Sequence, residues 1–273
     1  MCDSLSFFGT EYNTMNITPM PDERLDQINE HLSLLQKKNG LTFGTDAYLL
    51  AAYLRPMHRA RAADFGCGTG IISLLAQSRG KFAHVTAIEI QESFAELTSR
   101  NIAINNLSDR IAVLHADITT LRPSDVGGEL DVIFSNPPYM RTDSGKRNGA
   151  DEKYIARHEV CGTVADFCMV AGRLLKHGGL FYVVWRPDRL CELLAALHAA
   201  HLEPKRMTAV QADPETAPSM ILVECKKGAA PSLYLTPTLM LYRDGPHVMP
   251  RVMSDAASEI YKTCQFGDDI WTK

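Results

Sequence analysis

The chain has 273 residues, 45% hydrophobic and 22% charged, enough apolar material for one sizeable domain with extensions. Its formal net charge of −4 excludes the strongly basic class that whole-molecule electrostatics draws to nucleic acid, so a nucleic-acid partner needs a local basic patch. Seven cysteines (Cys2, Cys67, Cys161, Cys168, Cys191, Cys225, Cys264) at scattered spacings, with no CxxC pair and no histidine at ligand spacing, argue against a disulfide framework or a zinc module and read as reduced cytosolic thiols.

In chain order, Met1–Ser6 lacks the basic start and long apolar run of a signal peptide, and no apolar stretch approaches the ~20 residues of a membrane span. A soluble, cytoplasmic protein is the expectation. Residues 1–40 form an amino-terminal extension in which Arg24–Gln36 has helical apolar spacing. Gly44-Thr45-Asp46 then caps a helix expected over Ala47–Leu54.

From about Arg61 to Cys225, short β-rich runs alternate with helical patterns, which predicts an α/β fold with a mostly parallel sheet covered by helices on both faces. Strands are expected at Ala62–Phe65, Ala83–Ile88, Ile111–Leu114, Leu130–Ser135, Leu180–Trp185, Lys205–Val210 and Met220–Glu224. Between them fall helices at Gly70–Arg79, Ser93–Asn105, His158–Lys176 and Arg189–Ala200. Gly178-Gly179 is expected to end the third of these and open a strand that Pro187 closes. Residues 41–230 are therefore read as one domain. Residues 231–273 are a carboxyl-terminal extension whose architecture the sequence does not reveal.

Two turns in that domain carry chemistry. Asp64-Phe65-Gly66-Cys67-Gly68-Thr69-Gly70 joins the first strand to the first helix, and its glycines let the backbone approach a ligand closely. The spacing is G-x-G-x-G with an acidic residue ahead of it. A dinucleotide fingerprint needs G-x-G-x-x-G, so pyrophosphate binding is disfavoured. A methionine-bearing cofactor, S-adenosylmethionine, presents an ammonium that Asp64 suits, directly or through water. Glu89, ending the second strand, is placed to accept both hydroxyls of a ribose. Asp117, just past the third strand, is placed to accept from an adenine amino group, with Ile90 and Ile118 flanking the ring. The chemistry calls for no metal. Taken one at a time, these carboxylates and glycines also fit surface strand ends and an ordinary tight turn.

The second turn, Asn136-Pro137-Pro138-Tyr139, follows Leu130–Ser135 at the strand end where open α/β sheets place their ligands. Two prolines fix φ and leave carbonyls free as acceptors. An exocyclic amino group is a poor nucleophile because its lone pair is delocalised into the ring. If the Asn136 side-chain carbonyl and the Pro137 backbone carbonyl each accept one of its hydrogens, the lone pair is aimed at a methyl donor. Tyr139 is suited to stack on a flat substrate, a contact worth ~1–3 kcal/mol for a base. The bland alternative is a proline-rich turn with a chance asparagine.

Together, the Asp64–Gly70 turn, Glu89, Asp117 and Asn136–Tyr139 resemble the successive motifs of the class I methyltransferases that carry an Asn-Pro-Pro-Tyr turn, over about residues 40–225. Gly44-Thr45-Asp46-Ala47 and Ala156-Arg157-His158-Glu159 are similar, more narrowly, to bacterial tRNA (adenine-N6)-methyltransferases acting on valine tRNA. The resemblance implies a Rossmann-like, seven-stranded sheet of order 3-2-1-4-5-7-6 with the last-added strand antiparallel. It implies that S-adenosylmethionine is the cofactor and tRNA the partner. It also implies that Thr45 and Asp46 border the methionine end of the cofactor; Asp64, Phe65, Gly66, Gly68, Thr69, Gly70 and Asn136 are expected among its other binding residues.

Arg141, Lys146, Arg147, Lys153 and Arg157, against Asp143, Asp151 and Glu152, give the loop after the catalytic turn a surplus of positive charge that fits RNA phosphates and fits a solvated loop about as well. His158 and Glu159 read as a helix start, Cys67 as a small packed residue, and His84, His115 and His177 as isolated histidines. Release-factor glutamine methyltransferases and DNA adenine methylases use the same tetrapeptide. The former usually carry a helical amino-terminal domain, for which Met1–Asn39 is short, and the latter a sizeable recognition domain. A cofactor- or RNA-binding module without turnover is the rival from outside catalysis. The particular RNA and the oligomeric state are not legible.

Overall fold

The computed structural model describes residues 6–8, 18–39, 44–138 and 162–267. The chain runs β1 (Ser6–Phe8), β2 (Glu23–Asn29), β3 (Leu32–Lys37), α1 (Thr45–Tyr53), β4 (Met57–Phe65), α2 (Ile71–Ser78), β5 (Phe82–Glu89), α3 (Glu92–Ile104), β6 (Ile111–His115) and β7 (Leu130–Ser135). It continues through α4 (Val164–Leu174), β8 (Leu175–Trp185), α5 (Leu190–Ala199), β9 (Leu202–Gln211), β10 (Met220–Lys227), β11 (Tyr234–Leu235), β12 (Leu239–Met240) and α6 (Asp255–Thr263).

Ten strands form one sheet in the order β1-β6-β5-β4-β7-β8-β10-β9-β11, with β12 also on β9. From β6 to β8 all neighbours are parallel, so their carboxyl ends share one edge; β10 is antiparallel to both β8 and β9. The sheet exceeds the seven strands implied by the resemblance because short strands join its edges: β1 beside β6, and β11 and β12 beside β9.

Side chains alternate across the strands and fill two cores. Ala62, Val132, Phe134 and Tyr182 face α1, α2, α3 and α6, whereas Ala63, Ile133, Phe181 and Val183 face α4 and α5. The expected strands stand, with β4 and β8 each starting five residues earlier than expected, and the α2, α3 and α5 helices stand with end shifts of one residue.

Three expectations need correction. Arg24–Gln36 is not a helix but the β2–β3 hairpin, closed at Asn29, whose side chain accepts from the His31 N–H at 2.9 Å. Its Leu25, Ile28, Leu32 and Leu35 suit a helical period, but partners from α3 take up the polar edge of β3, and tertiary contacts override so weak a preference. Secondly, the helix expected to run to Lys176 ends at Leu174, and β8 begins at once. Gly178-Gly179 lies inside β8. Between Leu175 and Leu180 the partner on β7 advances only from Leu130 to Val132, so these glycines absorb a bulge. Thirdly, Gly44 is the N-cap of α1, and Thr45 and Asp46 already belong to its first turn.

Among the described residues of the carboxyl-terminal extension, α6 packs back onto α1. Tyr261 of α6 stacks on Tyr48 of α1 at 4.7 Å between centroids, and the Tyr48 hydroxyl donates to the Tyr261 carbonyl at 2.7 Å. At the other end of α1 the buried Lys81 ammonium donates to the carbonyls of Ala51 (2.8 Å), Ala52 (3.2 Å) and Leu54 (2.8 Å). These are the carbonyls a helix end leaves without partners. Among the described residues no helix is long and apolar enough to cross a membrane.

Candidate active site

The carboxyl ends of β4, β5, β6 and β7 bring both turns together. Phe65 pairs with Ser135 in register, and the buried Ser135 hydroxyl donates to the Phe65 carbonyl at 2.8 Å. The glycine turn and the Asn136 turn start from this shared point.

The glycine turn is fixed peptide by peptide. Gly66 and Cys67 both donate to the Ile88 carbonyl, Gly68 donates to Glu89 Oε2 at 2.9 Å, and Gly70 donates to the Cys67 carbonyl at 2.8 Å. From α3, the Thr98 hydroxyl donates to the Gly68 carbonyl at 2.6 Å and Asn101 Nδ2 to the Thr69 carbonyl at 3.0 Å. Gly70 is left-handed at φ 79°, and a Cβ there lies 2.7 Å from Thr98 Cγ2, so glycine is required twice over. Gly68, also left-handed, faces open space, with nothing within 4 Å of a built Cβ. That opening leaves room beside the backbone of the turn.

Asp64 and Glu89 are both buried. Asp64 Oδ2 accepts from the Ser73 hydroxyl at 2.7 Å, while Oδ1 is buried with no hydrogen-bond partner. Burial pushes this carboxyl up to about 7, against the opposing Ser73 hydrogen bonds and with the Glu89 charge adding to the rise. An orphaned buried acceptor is costly unless a donor arrives, and a ligand ammonium supplies one. Glu89 receives Gly68 N–H on Oε2 and Gln91 N–H on Oε1, each at 2.9 Å. Burial raises its pKa against those backbone donors. Each oxygen keeps capacity for one further donor.

Asp117, half-buried after β6, accepts from the Thr119 N–H at 2.8 Å and caps a short helical turn that starts at Ile118. Ile90 is half-buried and its carbonyl is held by His115 Nε2 at 3.0 Å, which gives that isolated histidine a place. Ile118 and Phe65 point into the core beside α4, so Phe65 serves the site through its backbone. Cys67 is buried, and burial pushes its thiol well above the ordinary value, as suits a packed residue.

Asn136 is half-buried and donates from Nδ2 to Asp46 Oδ2 at 2.9 Å. Asp46 Oδ1 accepts from the Ala47 N–H, and two residues on, Tyr48 meets Tyr261, so α1 ties the Asn136 turn to the carboxyl-terminal helix. Pro137 is buried and Pro138 half-buried. Tyr139, Arg141, Lys146, Arg147, Lys153, Arg157, His158 and Glu159 lie outside the described residues.

Sequence reasoning missed Ser73, Thr98, Asn101, Ser135 and Tyr261. Ser73 had a signal, as a lone hydroxyl in the apolar run Ile71-Ile72-Ser73-Leu74-Leu75. The others are fixed by contacts remote in sequence.

The model of the methyltransferase small domain family matches residues 38–197, more than half of the chain. The chain belongs to that family. A tRNA1(Val) (adenine(37)-N6)-methyltransferase of Phocaeicola vulgatus is 34% identical over 186 residues, covering 67% of this chain and 76% of its own. The protein of that name from Aliivibrio salmonicida is 27% identical over 209 residues, 76% of this chain and 86% of its own. Among solved structures, a predicted O-methyltransferase from Agrobacterium tumefaciens superposes with a TM-score of 0.65 at 23% identity, over 82% of this chain and 98% of that one, a likeness of fold.

Proposed function

We propose that this methyltransferase moves a methyl group from S-adenosylmethionine to N6 of an adenine in tRNA. The observation that carries the reading is the placement of Asn136, which shares the Ser135–Phe65 anchor with the glycine turn and has its amide nitrogen tied to Asp46. With Nδ2 so engaged, Oδ1 is turned away from Asp46, and the Asn136 and Pro137 carbonyls are the acceptors for the two amino hydrogens. Alignment does the work, because a held near-attack geometry removes much of the entropic barrier. When bound, the cofactor would supply an electrophilic methyl on a sulfonium, the S–CH3 bond breaking to a neutral thioether as N–CH3 forms, and the methylated nitrogen would give up one of its two held protons to solvent. Asp64 and Glu89, each with acceptor capacity to spare, would hold its ammonium and ribose, and Asp117 with Ile90 its adenine. Pro137 and Pro138 stiffen the turn, Tyr139 stacks on the target base, and the basic residues 141–157 face phosphates.

The order β6-β5-β4-β7-β8-β10-β9 supports reading those seven strands as the 3-2-1-4-5-7-6 sheet of class I methyltransferases, borne by residues 41–230 between two extensions, 1–40 and 231–273. The names of the relatives favour tRNA over the glutamine amide of a release factor or an adenine in DNA. Bulk tRNA incubated with protein and cofactor, digested and analysed by mass spectrometry, is expected to contain new N6-methyladenosine. Methylation of release-factor glutamine with tRNA unchanged would overturn the substrate. No transfer to either would point to a module without turnover.

A further inference from the structure

One buried side chain hydrogen-bonds both the amino-terminal hairpin and the glycine turn. Asn101 of α3 is fully buried, and all its polar capacity toward the hairpin is used: Oδ1 accepts from the Leu35 N–H at 2.7 Å, and Nδ2 donates to the Leu35 carbonyl at 3.1 Å. The second hydrogen on Nδ2 goes to the Thr69 carbonyl at 3.0 Å. One helical turn on, Asn105 repeats the pattern without reaching the glycine turn. Its Oδ1 accepts from the Ser33 N–H at 2.9 Å, and its Nδ2 donates to the carbonyls of Ser33 and Asn101, both at 2.7 Å.

Two amides at i and i+4 on one helix face thus pair with alternate residues of β3 as a neighbouring strand would. Arg100 completes the attachment through the buried Glu23 carboxylate at 2.8 Å. The arrangement is costly to disturb, because each buried amide released from it leaves unpaired donors and acceptors.

We infer that Asn101 is a positioning residue through which the β2–β3 hairpin sets the geometry of the cofactor turn. The Thr69 carbonyl is one of two on the turn held from α3; the other, on Gly68, is held by Thr98. A trans peptide points its N–H opposite its carbonyl, so holding the Gly68 carbonyl on α3 turns the Thr69 N–H away from α3. Loss of the hold on Thr69 releases the carbonyl end of the next peptide of the same turn, whose Gly70 N–H still donates to the Cys67 carbonyl. Coupling of this kind is reciprocal: if the hairpin orders the turn, a ligand that orders the turn steadies the hairpin.

The inference rests on S-adenosylmethionine being the ligand, and the test separates the two. In the full-length protein, hydrogen exchange at Leu35 is measured with and without the cofactor, and affinity is measured by calorimetry for the unmodified protein, Asn101→Leu and Asn105→Leu. Expected are slower exchange at Leu35 on cofactor addition, affinity about tenfold weaker in Asn101→Leu, and affinity within about twofold of normal in Asn105→Leu. A helix support of purely structural character would weaken both variants alike and leave Leu35 exchange independent of cofactor; either result overturns the coupling. The exchange measurement needs no variant, so it decides even if Asn101→Leu does not fold. No cofactor binding by the unmodified protein would instead overturn the proposed function.

Discussion

Asn136 Nδ2 lies 2.9 Å from Asp46 Oδ2, which makes the first turn of α1 and the turn after β7 one unit although 90 residues separate them. An asparagine amide left to itself can rotate end for end, and only one orientation presents oxygen to a substrate amino group. The Asp46 carboxylate accepts only from the nitrogen end, so it selects that orientation.

Asp46 therefore has a readable role. Asp46→Ala should lower kcat by about ten- to a hundredfold at saturating substrates, the scale of a lost hydrogen bond to a charged group. Asp46→Asn keeps an acceptor and should recover part of that rate. If Asp46→Asn instead retains full turnover and loses only cofactor affinity, Asp46 is a cofactor contact and not an orienting residue.

Asn136 itself is tested by separating rate from binding. Asn136→Ala should cost on the order of a hundredfold in kcat with cofactor affinity little changed, because the lost contact aligns the nucleophile. Asn136→Asp keeps the acceptor but meets Asp46 with like charge, so partial activity is expected to improve toward acid pH. Near-normal turnover of Asn136→Ala on the identified substrate would exclude the assigned chemistry.

The parallel strands and the glycine turn between β4 and α2 were legible because they are written locally, in apolar runs broken by glycine or proline. Leu130–Ser135 and the residues after it needed nothing from elsewhere in the chain. The hairpin was not legible, since Arg24–Gln36 has a helical period and only Asn101, Asn105 and Arg100 of α3 decide against it. The end of α4 was missed for a related reason: Gly178-Gly179 looks like a helix stop, but its job is to take up extra residues in β8. Tyr261 reaches Tyr48 across more than 200 residues, a distance no local pattern spans.

Lys81 is expected to be a stability residue. Lys81→Met preserves much of the buried stem but leaves three carbonyls at the end of α1, including that of its C-cap Leu54, without their donor, a loss on the order of 3 kcal/mol partly offset by no longer burying an ammonium. Burial pushes Lys81 down to about 8 from 10.5. Between those values the unfolded chain holds a proton that the native protein has released, so this residue makes stability rise with pH across that window. Denaturant titrations of the two proteins from neutral to pH 10 should show that rising contribution in the parent alone, and identical slopes would refute it.

The last prediction concerns Asp64, whose carboxyl burial holds at about 7 against 3.8 for an ordinary aspartate. Its folded value is raised, so between about 4 and 7 the native protein holds a proton that the unfolded chain has lost. Through this group, stability falls as pH rises across that window. Cofactor binding should reverse the preference: an ammonium near the orphaned Oδ1, direct or through one water, favours the ionised carboxylate and lowers its pKa. At pH 6 the free protein is then largely protonated at Asp64 and the complex is not, so binding releases a proton. Affinity for S-adenosylmethionine should therefore rise from pH 5 to 7 and then level off. Calorimetry at pH 6 in buffers of differing ionisation enthalpy measures the released proton directly. Asp64→Asn cannot ionise, so its binding should be weaker and its pH slope flatter, with any remaining slope belonging to Glu89, whose pKa burial also raises. Proton uptake on binding, or a pH slope unchanged in Asp64→Asn, would remove Asp64 from the cofactor site.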